Sequence, residues 1–271
     1  MEWNPLFEAA DEKPLDRLVS DGGYCGIFRT IACVGDSLSS GEFEAFDETG
    51  KKQYIDMFDY SWGQFLGRMC GSKVYNFSKG GMTADRYCES FAEQQGFWSP
   101  DLAAQAYFIA LGVNDLHNRP DLLSGKTPIG SAKDADLSDW RNNSKTFAGY
   151  YAAIIQRYRE IQPKAKFFLV ACPNEVWKQD QEMHERVNGE LRDLLCDFAK
   201  IFPNTYVIDL FRYAPVYGAE FKKMFFNGGH MNPMGYAFTA RVMASYVDWI
   251  IRKNPADFSE VGFIGTPYHY R

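Results

Sequence analysis

Five stretches of the chain are rich in apolar residues over a strand's length: 30–36, 73–77, 105–111, 166–172 and 204–210. In Ile31-Ala32-Cys33-Val34 and Lys166-Phe-Phe-Leu-Val-Ala-Cys172 the apolar run is almost unbroken. Such runs read as strands covered on both faces, as in a parallel sheet. Between them the apolar positions recur at three and four. Trp62, Phe65, Leu66 and Met69 form one set, and Phe147, Tyr150, Tyr151, Ile154, Ile155 and Tyr158 a second. Met183, Val187, Leu191, Leu194, Leu195 and Phe198 form a third, and Phe238, Val242, Val247, Ile250 and Ile251 a fourth. Each is the buried stripe of an amphipathic helix. Ser61-x-x-Gln64 is a capping box, and Gly71 a C-terminal stop. Thr83 caps a further helix through Gln94. Asn232-Pro233 opens the last helix, and Arg252-Lys253 followed by Pro255 closes it.

Strands alternating with helices imply an α/β fold with helices on both faces of a parallel sheet. No repeat or low-complexity linker divides the chain, so the elements form one domain over residues 30–254. Residues 1–29 read as an extension packed on that core, anchored by Trp3, Phe7, Leu15 and Leu18. Residues 255–271 are a tail. Two long, polar, Gly-punctuated segments interrupt the pattern, 38–60 and 116–143, the latter with Pro120, Gly125, Pro128 and Gly130. Both directly follow a strand, where long loops usually serve function, and both read as walls of a site. Phe43, Phe46, Tyr54, Phe58, Tyr60 and Trp140 are the aromatics expected around it.

Composition narrows the classes. A net charge of −6 over 271 residues argues against nucleic acid or an anionic membrane as partner. No window has the apolar length of a spanning helix, and the N-terminus has no basic or apolar leader, so the expected location is cytoplasmic. The six cysteines are scattered without a C-x-x-C pair. They read as free thiols, which argues against a zinc site or a thioredoxin-like motif. The aromatic share permits a homo-oligomer without demanding one.

The chemistry gathers at strand ends. Ser37 follows the first strand in Gly35-Asp36-Ser37-Leu38, Gly80-Gly81 follows the second, and Gly112-Val113-Asn114-Asp115 follows the third. In the strand order 2-1-3-4-5, the first and third strands are neighbours at the switch point, where open α/β sheets bind ligands. Acyl transfer needs a hydroxyl nucleophile and N–H donors aimed at the developing oxyanion. Ser37 supplies the first; the backbone N–H groups of Ser37 and Gly81 and the amide of Asn114 supply the second. Gly81 is expected to let the backbone approach substrate closely. Of four histidines, His230 lies between the fifth strand and the last helix, at the same edge, and is the best base. Asp36 and Asp115 read as turn anchors and His117 as a surface residue.

With these residues in place the chain resembles the SGNH (GDSL) hydrolase family over roughly residues 30–250. Gly35-Asp36-Ser37-Leu38, Gly81, Gly112-x-Asn114-Asp115 and His230 match its blocks in order. The resemblance implies a flavodoxin-like three-layer α/β/α sandwich and cofactor-free ester or thioester hydrolysis. One position departs from it: Asn227 stands where the family usually has Asp, three residues before the histidine. That leaves three readings: a Ser37–His230 dyad supported by Asn227 or a backbone carbonyl, another acid reaching His230, or weak activity. Asp209 is the nearest other acid in sequence, though it reads first as a cap. The polar insertions favour a small soluble substrate, an ester of a short acyl group such as an O-acetylated carbohydrate. The alternatives are a lysophospholipase or acyl thioesterase, and a catalytically weak binding protein of the same fold.

Overall fold

The computed structural model describes residues 9, 11–117 and 128–270. Trp3 and Phe7, and Pro120 and Gly125 of the second insertion, lie outside them. Among the described residues there are nine strands: β1 (Thr30–Gly35), β2 (Glu42–Phe46), β3 (Lys52–Asp56), β4 (Lys73–Ser78), β5 (Ala106–Ala110), β6 (Lys166–Val170), β7 (Thr205–Ile208), β8 (Phe226–Asn227) and β9 (His230–Met231). The helices that matter below are α1 (Ser37–Ser40), α2 (Trp62–Cys70), α3 (Val113–His117), α4 (Phe147–Ile161), α5 (Gln181–Ile201), α6 (Ala219–Phe225) and α7 (Pro233–Lys253).

The central sheet is parallel and runs β4-β1-β5-β6-β7, the expected 2-1-3-4-5 order over its five strands. Side chains alternate across each strand, and the alternation builds two cores. Ala32, Val34, Tyr107, Ile109, Phe167 and Leu169 face one core, closed by α4, α5 and the helical segment 84–94. Ile31, Cys33, Phe108, Phe168 and Val170 face the other, closed by α2 and α7. The sheet is therefore the middle layer of an α/β/α sandwich. Gly35 pairs with Ser78 on one side and Ala110 on the other, so the residues following β1, β4 and β5 emerge at one edge.

Three helix ends follow their sequence signals, whereas the Thr83 side chain makes no cap bond and Asp115 accepts from Ala84 N–H instead. Ser61 Oγ accepts from Gln64 N–H, Gly71 closes α2 at φ +65°, and Asn232 Oδ1 accepts from Gly235 N–H. The segment 11–29 lies along α7. Glu12 forms a two-pronged bond to Arg252 at 2.7 and 2.8 Å, and Asp248 bonds Arg252 Nε at 2.8 Å and Tyr24 N–H. Leu15 packs on the second core, while Leu18 is exposed.

Three features depart from the sequence reading. Residues 38–60 contain a hairpin, β2–β3, with Glu42 opposite Asp56 and Phe46 opposite Lys52. The turn between them is built on Asp47, whose Oδ1 accepts from the N–H groups of Thr49 and Lys51. The loop that carries His230 is likewise a short hairpin, β8–β9, pairing Asn227 with His230. Trp140 does not flank the site. It stacks on the guanidinium of Arg157, 4.6 Å away, and shares a groove with Phe202 and Pro203, which lead into the amino end of β7. That part of the second insertion runs to the opposite edge of the sheet.

Candidate active site

The site is built at the carboxyl edge of β1, β4 and β5. β1 ends at Gly35, where a β-carbon would lie 2.2 Å from Ser39 Oγ, so the chain turns tightly there. Asp36 caps the turn, its Oδ1 accepting from Leu38 N–H at 3.1 Å, and Ser37 opens α1. Burial pushes the Asp36 carboxyl up to about 7. The α1 turn packs against the end of β4 and against β9, so Ser37 and His230 belong to adjoining elements.

Gly81 has φ +69°, the left-handed region that favours glycine. A β-carbon there would meet open space, so its backbone conformation, not a close approach, explains the glycine. The close approach is at Gly80, where a β-carbon would lie 2.0 Å from Glu42 Oε2. Asn114, on α3, donates through Nδ2 to the carbonyl of Met82 at 3.2 Å, which joins the third strand's turn to the glycine loop. Asp115 accepts from Ala84 N–H at 2.9 Å and thereby starts the helical segment after that loop. Its buried carboxyl is also pushed up to about 7.

His117 is not a surface residue. It ends α3 half-buried, with Nδ1 2.8 Å from His184 Nδ1 and Nε2 3.0 Å from Asn188 Oδ1, and Trp177 stacks on His184. Burial pushes the His117 imidazole down to about 4. The cluster pins the far end of the helix that carries Asn114. Sequence reading missed His184, Asn188 and Trp177 because their partner is some 70 residues away in the chain.

His230 shows what sequence reading missed most. Its Nε2 lies 3.0 Å from Glu42 Oε1 and its Nδ1 3.5 Å from Glu44 Oε1, both from β2. Among the described residues no hydrogen bond joins the ring to Ser37 Oγ. The Tyr54 ring meets the imidazole edge-on at 5.6 Å. Asn227 is exposed and makes no hydrogen bond to the ring among the described residues. Asp209 caps a helical turn, accepting from Arg212 N–H at 3.0 Å. The signal for Glu42 and Glu44 was present in the alternation Glu-Phe-Glu-Ala-Phe, which has the period of a half-buried strand. Among the described residues, no cluster of three or more His, Cys, Asp or Glu side chains could hold a metal ion.

The profile of the GDSL-like lipase/acylhydrolase family matches residues 33–238. The chain belongs to this family. As a GDSL-like acylhydrolase it is an ester-cleaving hydrolase in the broad sense. Among solved structures it is similar to a protein from Lactobacillus plantarum, with a TM-score of 0.52, 15% identity, and 84% of this chain and 98% of that one covered. It is similar to Est24, a carbohydrate acetylesterase from Sinorhizobium meliloti, with a TM-score of 0.51, 13% identity, and 82% and 99% covered. It is also similar to a family two carbohydrate esterase from Clostridium thermocellum in complex with cellohexaose, with a TM-score of 0.50, 15% identity, and 92% and 67% covered. At these identities the likeness is one of fold. No curated protein matches the chain. Among the described residues of this GDSL-like hydrolase, no helix is long and apolar enough to cross a membrane.

Proposed function

We propose that the protein hydrolyses esters of short acyl groups through an acyl-enzyme on Ser37, with His230 as base. Ser37 Oγ attacks the ester carbonyl carbon and its proton passes to His230. The N–H groups of Ser37 and Gly81 and the amide of Asn114 face the negative oxygen that forms. Collapse returns the proton to the leaving alcohol, and a water activated by His230 then releases the acid. Catalytic hydrogen bonds are often long without substrate and tighten in its complex, where Nε2 exchanges Glu42 for Ser37 Oγ.

The observation that carries the short-acyl reading is a cavity of about 60 Å³. Its lining includes Leu38, Val113 and Met231, the chain neighbours of Ser37, Asn114 and His230, with Val170, Cys172 and Met243 behind them. It is mostly apolar and far below the ~300 Å³ at which ligand pockets begin. That suits an acetyl or propionyl tail better than the long chain of a lysophospholipid or acyl thioester. A carbohydrate acetate is a natural first substrate class to try, given the activity named for the Sinorhizobium protein. The cysteines are all free thiols, which fits a reducing compartment such as the cytoplasm.

The test is a p-nitrophenyl ester series from acetate to dodecanoate, run with acetylated sugars, with fluorophosphonate labelling of wild type and Ser37→Ala. Highest kcat/KM at acetate or propionate, and labelling lost in Ser37→Ala, are expected. A maximum at octanoate or longer would overturn the short-acyl reading, and equal labelling of both proteins would overturn the nucleophile.

A further inference from the structure

We propose that Glu44 is the carboxylate that orients His230 and meets the charge of its protonated ring, in place of the residue three positions before the histidine. The inference rests on the reading of Ser37 and His230 given above. It makes Glu44 a positioning residue, delivered by the hairpin that directly follows the nucleophile.

The argument begins with the two ring nitrogens. Glu42, which faces Nε2, also presses on Gly80, where a β-carbon would lie 2.0 Å from its Oε2. Nε2 is therefore turned to the end of β2 that adjoins α1 and the glycine loop, and Nδ1 to Glu44, two residues further along the same strand. A histidine base accepts the serine proton on one nitrogen and is held in the required tautomer through the other. The support must then come to Nδ1, which is buried without a hydrogen-bond partner and has Glu44 Oε1 3.5 Å away.

Glu44 is placed for that role from every side. Lys52 Nζ lies 2.6 Å from its Oε2, and Gly229 N–H donates to its Oε1 at 2.7 Å. The lysine holds the Glu44 carboxyl below the usual carboxylate range, whereas burial raises that of Glu42. Two carboxyls at one ring with pKa values pushed apart have different tasks. Of the two, Glu44 is the one whose anion its neighbours stabilise. The turn between β8 and β9 is glycine at both positions for a reason of fit. A β-carbon on Gly228 would lie 2.2 Å from Glu44 Oε2, and one on Gly229 2.7 Å from Oε1. The loop that carries the base is thus shaped around the Glu44 carboxylate. The other groups at the ring are Glu42 itself, Tyr54 edge-on, and Asp56, which adds negative charge at Glu42. When Ser37 gives its proton to Nε2, the Nδ1–H stays on the ring and donates to Glu44, which accepts no proton.

The test combines kinetics on p-nitrophenyl acetate with imidazole ¹⁵N shifts of the full chain, which read the tautomer of His230. Glu44→Gln is expected to lower kcat by about 10²–10⁴-fold with KM little changed. It is also expected to move the His230 resonances from the Nδ1–H toward the Nε2–H tautomer. Asn227→Asp in the Glu44→Gln background should restore at least a tenfold part of the loss, by placing a carboxylate on the facing strand of the same short hairpin. Glu44→Asp covers the case in which Glu44→Gln does not fold: it should keep the tautomer and lose only about tenfold in kcat. A Glu44→Gln enzyme within fivefold of wild type with its tautomer unmoved would overturn the proposal, as would Glu42→Gln taking both effects instead. If Ser37→Ala still turns over the ester, the nucleophile reading fails, while the tautomer shift continues to report on Glu44 alone.

Discussion

Asn114 Nδ2 donates to the carbonyl of Met82 at 3.2 Å, so the amide after β5 and the glycine turn after β4 are held in one piece. An oxyanion site works by being fixed before charge develops, and this bond joins two of the three groups proposed to form one.

Asn114→Ala should therefore lower kcat on p-nitrophenyl acetate by about 10²–10³-fold with KM within a few-fold. The position is part-buried on a short helix, so Tm should change little. Steady-state kinetics beside thermal denaturation checks this; a loss confined to KM would mean that Asn114 binds substrate without stabilising the transition state.

Burial pushes Asp36 and Asp115 up to about 7 from an ordinary 3.8. Between about pH 4 and 7 the folded chain keeps protons that the unfolded chain has released. Stability accordingly falls as pH rises through that window and is lowest above it. Asp36→Asn keeps an acceptor for Leu38 N–H and removes the charge. It should be more stable than wild type at pH 8, by about 1–4 kcal/mol, and indistinguishable from it at pH 4. Urea unfolding at both pH values decides; parallel curves for the two proteins would show that Asp36 is ionised in the fold.

Met243 is 2% exposed and lines the small cavity. Met243→Ala should enlarge that cavity and raise the butyrate-to-acetate ratio of kcat/KM several-fold, at a cost of about 2–4 kcal/mol in stability. An unchanged ratio in the folded variant would place the acyl chain elsewhere.

Arg252 is 4% exposed and lies between Glu12 and Asp248. Arg252→Ala leaves Asp248 without its cation and Glu12 with only Arg17, 3.5 Å away, and should cost about 3–5 kcal/mol. The break falls on the contact between the N-terminal segment and α7. Limited proteolysis should then cut between residues 9 and 24 before the rest of the chain unfolds.

The sheet was legible because β1, β5 and β6 are buried on both faces and so apolar almost throughout. Most helices were legible because they have one wet side; α7 is buried all round over residues 242–248 and was legible from its ends, Asn232-Pro233 and Arg252-Lys253. The turns that carry Ser37, Gly81 and Asn114 could be placed because each directly follows a recognisable strand. The partners of His230 were harder to see. Glu42 and Glu44 sit among other acids, Asp47, Glu48, Asp56 and Asp59, and although their alternation marks a strand, it does not say that the strand folds back onto a histidine nearly 190 positions later. The β2–β3 hairpin was hidden by composition, since its polar residues and glycines look like a loop until their alternation is read. The His117 cluster was hidden in the same way, by a partner on a distant helix.

The alternation of β1 has a further consequence for Ser37. Ile31 and Cys33 fill one core, and Ala32 and Val34 the other. A residue gained or lost within this strand would exchange the two sets and spoil both cores at once. The strand's length is thereby counted from two sides. The height of the serine above the sheet is set by packing of greasy side chains that never meet substrate, and evolution can rebuild the walls around it without moving it.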